Sequence, residues 1–321
     1  MGGMAIRFPA PMQPGDRVGV TSPSKGVERW ERDHLERAVR AVRDRGYDVV
    51  IGECMDGTSH TSAPAEQRAA ELMAMLTDPH IRAVVPPRGG ETAIDLLPLL
   101  DWDSVAAADP TWLVGFSDIS TLLLPMTLRT AITTLHTNNL MNTPYKLGGP
   151  GGQVLTWPDI IAFAEGTSFT QSGRWVRLDG DGPADVTGRL VGGCIEAVRH
   201  LAGTAHGDVA RFARQHAPEG LIVYLEAAGD DAFSVCRSLH GMRLAGFFAE
   251  ATAILVASTL APDSQTLTQR QAVVDALARV GVPIIAEVGC GHVPPYVPIV
   301  NGALGHLRFG TGSATLTQSL R

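Results

Sequence analysis

The stretch Thr111-Trp112-Leu113-Val114-Gly115-Phe116-Ser117-Asp118-Ile119-Ser120-Thr121 runs an apolar segment into a glycine and sets a serine just beyond it. A second apolar pattern, Ile119, Leu122, Leu123 and Leu124, recurs at helical spacing, so the stretch reads as strand, sharp turn and helix. A serine at such a turn is lifted off the end of a buried sheet with helix N–H groups behind it, which is how a nucleophile elbow works. Gly-x-Ser also suits an ordinary helix cap, and Ile119 stands where an elbow usually has its second glycine. What else reaches Ser117 must decide between the two.

Two further residues have chemistry to offer. Leu221 to Leu225 (Leu-Ile-Val-Tyr-Leu) is uninterrupted apolar chain, the mark of a strand buried on both faces, and it ends on Glu226. A carboxylate at a strand end points into a cleft more often than into a core, because an unpaired buried charge is strongly unfavourable. His292 lies just past the apolar run Pro283 to Val288, framed by Gly289 and Gly291 before it and Pro294 and Pro295 after it. That backbone chemistry exposes and fixes an imidazole as a base needs, whereas His34, His200, His206, His216 and His240 read as solvated surface. Ser117, Glu226 and His292 thus each follow an apolar strand, in one of the known orders of a Ser-acid-His triad. In Arg88-Gly89-Gly90-Glu91, between a strand and a helix, the Gly90 N–H could join that of Asp118 in an oxyanion hole, an effect worth roughly 3 kcal/mol per donor. A plain left-handed turn is the competing explanation of the double glycine.

The elements that must position these groups follow from periodicity. Arg17 to Thr21 reads as a strand, Glu31 to Arg45 as an amphipathic helix and Tyr47 to Ile51 as a strand, so the chain opens with a βαβ unit. Glu66 to Leu76 continues as helix, Ile81 to Val85 as strand, Ala93 to Leu100 as helix and Thr130 to Leu135 as strand. Further on, strand and helix alternate again from Gly188. We expect an α/β protein: an N-terminal parallel-sheet, Rossmann-like domain (1–165) and a smaller C-terminal α/β domain (188–321). The hydrophilic, Gly-rich chain between them reads as an inter-domain loop over 166–187, with Trp175 a lid or ligand platform on it.

Bulk properties narrow the classes. At 321 residues, two domains are the natural prior. A net charge of −7 without a block of like charge gives no footprint for nucleic acid. Cys54, Cys194, Cys236 and Cys290 are widely spaced and read as free thiols of a reducing cytoplasm. The N-terminus lacks the apolar core of a signal peptide, and no run of about 18 apolar residues is present to span a membrane. Metal-assisted hydrolysis is disfavoured by the absence of ligand pairs at helix or hairpin spacing, and Gly-x-Gly-x-x-Gly is not satisfied, so no metal and no cofactor is expected.

An ordered set of motifs then resembles the LD-carboxypeptidase family of serine peptidases, which includes the microcin C self-immunity peptidases. It comprises Pro14-Gly15-Asp16 before a strand ending Ser22-Pro23-Ser24, Arg88-Gly89-Gly90 with Leu96-Leu97-Pro98, Gly115-Phe116-Ser117-Asp118, Gly188-Arg189-Leu190-Val191-Gly192-Gly193, Leu225-Glu226 and Gly291-His292. The resemblance implies a two-domain cytoplasmic homodimer without metal, with Ser117 on the first domain and Glu226 and His292 on the second. It also implies cleavage of an amide or peptide bond near a free carboxylate, in a murein tetrapeptide or in a peptidyl-nucleotide. Arg88, Gly89, Glu91 and Trp175 are the candidate substrate contacts. The chain departs from the wall-recycling pattern at Glu91-Thr92, where Tyr-Gly is usual, and at His136-Thr137-Asn138, where His-Gly-Pro is frequent. Pro294, Pro295 and Trp175 look more like the microcin branch. A different α/β serine esterase, or a non-catalytic cytoplasmic ligand-binding protein, are the competing readings.

Overall fold

The computed structural model describes residues 5–142, 155–310 and 313–321. The first half alternates strand and helix: β1 (Arg17–Val20), α1 (Arg32–Arg43), β2 (Asp48–Ile51), α2 (Ala65–Thr77), β3 (Ile81–Val84), α3 (Trp102–Ala107), β4 (Trp112–Gly115), α4 (Ser120–Thr130) and β5 (Thr134–His136). Ala93–Leu99, expected as an α-helix, is a 3-10 helix instead. Pro98 within it cannot donate the i to i−4 bond. Among the described residues the first sheet has the order β5-β4-β3-β1-β2, with the strand Ile299–Asn301, β12, added beyond β5. Its parallel part, 2-1-3-4-5 read from the edge, reverses between β1 and β3, and the crevice at such a switch point is where open α/β sheets bind ligands.

The second half begins with α5 (Trp157–Ile160), β6 (Ser168–Gly173), β7 (Val176–Arg177), β8 (Ala184–Cys194), α6 (Ile195–Val198) and α7 (Val209–His216). It continues with β9 (Leu221–Glu226), α8 (Ala232–Leu244), β10 (Ala251–Ala257), α9 (Gln269–Leu277), β11 (Ile284–Val288), β12 (Ile299–Asn301), β13 (Leu304–Gly310) and β14 (Ser313–Ser319). The second sheet runs β6-β14-β13-β8-β9-β10-β11-β7, parallel through β8, β9, β10 and β11 and antiparallel on both flanks.

Two expectations need correcting. The segment 166–187 is not a free inter-domain loop: β6 pairs with β14 and β7 with β11, both inside the second sheet. Trp175 is therefore no exposed platform but only 8% exposed, with its indole laid over Gly173. Its apolar area is better satisfied by the core under that sheet than by solvent. The halves are also interleaved, because β12 leaves the second half to pair antiparallel with β5 of the first sheet.

Both hydrophobic clusters draw on both sheets. One joins Val18, Val114 and Leu135 to Leu190, Ile222 and Ile285. The other joins Leu113 and the α4 residues Leu122, Leu123 and Leu124 to Val191, Val198 and Val223. The three α4 leucines are fully buried, each worth about 2 kcal/mol of transfer free energy. The helix behind Ser117 is thereby pinned between the lobes. No helix among the described residues is long and apolar enough to cross a membrane.

Candidate functional site

At the end of β4 the chain turns so sharply that Ser117 takes φ +61°, a left-handed conformation that costs a non-glycine residue of order 1 kcal/mol. Residues Ser117–Ile119 form a 3-10 turn that runs directly into α4, so the strand-turn-helix elbow is present without its second glycine. Several bonds hold the turn. The Phe116 N–H donates to Asn139 Oδ1 at 3.2 Å. The Asp118 carboxylate accepts from Ser24 Oγ at 2.6 Å and from the Ala93 N–H at 2.9 Å. Asp118 thus ties the loop after β1 and the loop after β3 to the elbow, at the switch point.

Of the two glycines after Arg88, Gly89 is the one against Ser117. A Cβ built on it would lie 3.1 Å from Ser117 Oγ and 3.3 Å from the Asp118 nitrogen. Gly90 instead abuts the loop after β1, where a Cβ would fall 2.2 Å from Ser24 Oγ. The Arg88 guanidinium reaches Glu31 at 2.5 Å, and Glu91 is exposed.

On the second sheet, Glu226 closes β9 with its side chain fully buried. Gly291 precedes His292 at φ +84°, and a Cβ there would lie 2.6 Å from the Glu226 carboxylate carbon, so only glycine lets this loop come so close. The loop is closed by the Val297 N–H on the Gly289 carbonyl. His292, 28% exposed, places Nδ1 2.7 Å from Glu226 Oε2. Burial alone would push the Glu226 carboxyl up, but the facing imidazoles of His136 and His292 hold it well below the usual carboxylate range. For His292, burial works downward and the Glu226 carboxylate overrides it, so the imidazole titrates above its ordinary value.

The two edges meet at the residues flanking Ser117. The Phe116 ring sits 4.6 Å, centroid to centroid, from the His292 ring. Ser120 Oγ accepts from the Cys194 N–H at 3.1 Å, where β8 ends beside Glu226. Gly193 permits this approach, because a Cβ there would lie 2.8 Å from that of Ser120.

Sequence reasoning passed over two groups in this neighbourhood. His136 ends β5 fully buried, with Nε2 3.7 Å from Glu226 Oε1. Its partner lies 90 residues away in sequence and on the other sheet, so no local pattern could have signalled it. Cys194 puts its sulfur within 4.8 Å of ligand-type atoms of Glu226 and His292. These three could hold a soft divalent cation, at the expense of the His292–Glu226 hydrogen bond. As a nucleophile Cys194 is inert, because burial, then the negative charges of Glu226 and Glu196, push its thiol far up. A separate cavity of about 430 Å³ opens at the ends of β9, β10 and β11, lined by Ile195, Ala227, Thr259, Arg270 and Glu287 among others. It borders the carboxylate's neighbours and includes neither Ser117 nor His292.

Comparison with known proteins shows the family and the fold. Residues 18–137 match the LD-carboxypeptidase N-terminal domain and residues 187–307 the LD-carboxypeptidase C-terminal domain. The murein tetrapeptide carboxypeptidase of Pseudomonas aeruginosa is 31% identical over 232 residues, 71% of each chain. Among solved structures, an MccF-like protein from Bacillus anthracis superposes with a TM-score of 0.81 at 17% identity, covering 98% of this chain and 100% of that one. The microcin C7 self-immunity protein MccF in complex with aspartyl sulfamoyl adenosine does so with 0.78 at 19% identity, covering 98% and 99%. The two domain matches, in order and on the two sheets that carry Ser117 and the Glu226–His292 pair, place this chain in the LD-carboxypeptidase family of serine peptidases.

Proposed function

We propose that this protein is a serine carboxypeptidase in which Ser117, His292 and Glu226 act as a catalytic triad. The observation that carries the reading is the buried Glu226 carboxylate bonded to His292 Nδ1 at 2.7 Å, with the His292 ring against Phe116, the residue before Ser117. With Nδ1 engaged, Nε2 is the nitrogen left to take the Ser117 proton. Ser117 Oγ attacks the scissile carbonyl, and the oxyanion is met by the backbone N–H of Asp118 and by one from the Gly89-Gly90 turn, whose Gly89 lies against Ser117. His292 then returns the proton to the departing amine, leaving an acyl-enzyme that water hydrolyses by the same route. Arg88, Gly89 and Glu91, on the loop against Ser117, are the groups we assign to the substrate.

Among substrates we favour a murein tetrapeptide, with cleavage next to a free carboxylate. The relative of that name is 31% identical to this chain over 232 residues, and the burial of Trp175 removes the aromatic platform expected for a nucleotide base. A peptidyl-nucleotide amide is the second reading, favoured by the overall likeness to a protein solved with aspartyl sulfamoyl adenosine. Side-by-side hydrolysis of a murein tetrapeptide and an aspartyl-nucleotide amide separates them. Release of the terminal residue from the tetrapeptide alone supports our choice, and turnover of the nucleotide amide alone overturns it. The resemblance also carries the last part of the reading, a homodimer working in the cytoplasm, where the four free thiols would stay reduced.

A further inference from the structure

We propose that His136 is a positioning residue for this hydrolysis, whose Nε2–H holds the second oxygen of Glu226, so that the acid is clamped between two imidazoles. The inference rests on the roles given above to Glu226 and His292.

One carboxylate oxygen, Oε2, is taken by His292 Nδ1 at 2.7 Å. The other, Oε1, is fully buried and without a hydrogen-bond partner, and so are both ring nitrogens of His136. His136 Nε2 faces Oε1 at 3.7 Å, beyond a formed hydrogen bond but inside ion-pair range. A buried donor and a buried acceptor left unbonded are unfavourable apart and favourable together, and Nε2 and Oε1 are the pair that face each other.

The ring is framed rather than loose. Its edge meets Tyr224, with centroids 5.2 Å apart. The Tyr224 hydroxyl donates to Asn301 Oδ1 at 3.0 Å, and Asn301 Nδ2 donates to Thr134 Oγ1 at 3.1 Å, two residues before His136. β5, β9 and β12 thus build one buried polar network across both sheets. A carboxylate bonded on one side only can turn about its last torsion. Bonded on both, it keeps Oε2 on Nδ1 and His292 Nε2 directed at its task. The ionisable groups around the pair are Glu196, facing His292, and Cys194, Cys290 and Tyr224, facing Glu226.

The test compares His136→Gln, which keeps an N–H at the Nε2 position, with His136→Phe, which keeps the ring and loses the donor. Imidazole NMR titration of His292 reads the effect without any assay of turnover. In His136→Phe the carboxylate, no longer shared, becomes the stronger acceptor for Nδ1–H, so the His292 midpoint rises, and kcat falls at least about tenfold with KM within about twofold. In His136→Gln both stay near wild type. A folded His136→Phe with an unmoved His292 midpoint overturns the proposal whatever its activity. Should that variant not fold, the wild-type nitrogen spectrum decides: a protonated His136 Nε2 is expected, and a bare Nε2 with a protonated Nδ1 overturns it. A His292 midpoint that ignores Glu226→Gln would instead sink the triad reading on which this one rests.

Discussion

The two sheet edges that meet at this site prepare their groups by different physics. On the first, the proposed nucleophile Ser117 is positioned by backbone: a left-handed φ of +61°, a 3-10 turn and a helix locked between cores, with the Asp118 side chain binding the loops around it. On the second, Glu226 and His292 are prepared by burial and charge, a carboxylate with no solvent exposure facing two imidazoles. In the proposed mechanism, strain is stored where an atom must be placed, and electrostatics where a proton must be moved. Substitutions on the first edge should therefore change rate without changing pH dependence, and those on the second should change both.

The largest effects test whether the two edges act as one unit. Ser117→Ala should lower kcat/KM about 10⁴-fold or more while leaving substrate binding, read by steady-state kinetics beside calorimetry, and His292→Ala should match it. Activity in either variant above a trace would separate the edges. Glu226→Gln should cost less, about 10²-fold to 10⁴-fold, because the acid orients the base without touching substrate. Unlike Ser117→Ala, it should also move the pH profile. With Glu226 in place the acid limb of kcat/KM lies above pH 6.5, the ordinary histidine value, and without the carboxylate it should shift to lower pH.

Two smaller effects sharpen the contrast through stability. Because the Glu226 carboxyl is held below its unfolded-state value, its contribution to stability is complete above about pH 4.5 and lost as pH falls through the folded value. The stability gap between wild type and Glu226→Gln, measured by urea unfolding, should accordingly shrink from pH 6 toward pH 3. A gap that is constant with pH would remove the charge from the account. On the other edge, Ser117→Gly should stabilise by about 1 kcal/mol in thermal unfolding through relief of the left-handed strain, while Ser117→Ala should not.

Much of this was legible in the sequence because it is local. The opening βαβ unit, the elbow, the apolar β9 ending on Glu226 and the Gly-Pro frame of His292 are all written in contiguous residues. The rest depends on pairing at a distance. β12 has three residues, and β6 and β14 are rich in Ser and Thr, so their antiparallel edges are visible only once paired. The same holds for Trp175, whose loop-like sequence is ordered by strands 100 or more residues further on, and for His136, whose meaning lies in a carboxylate on the other sheet.

The central claim is that one serine, activated across the two lobes, does the chemistry. The most direct test is treatment with a fluorophosphonate probe, followed by mass spectrometry of the adduct and its rate of formation against pH. A single adduct on Ser117 is predicted, forming faster as pH rises through the His292 midpoint and abolished in His292→Ala. An adduct on another residue, or labelling of Ser117 that is indifferent to His292, would contradict it.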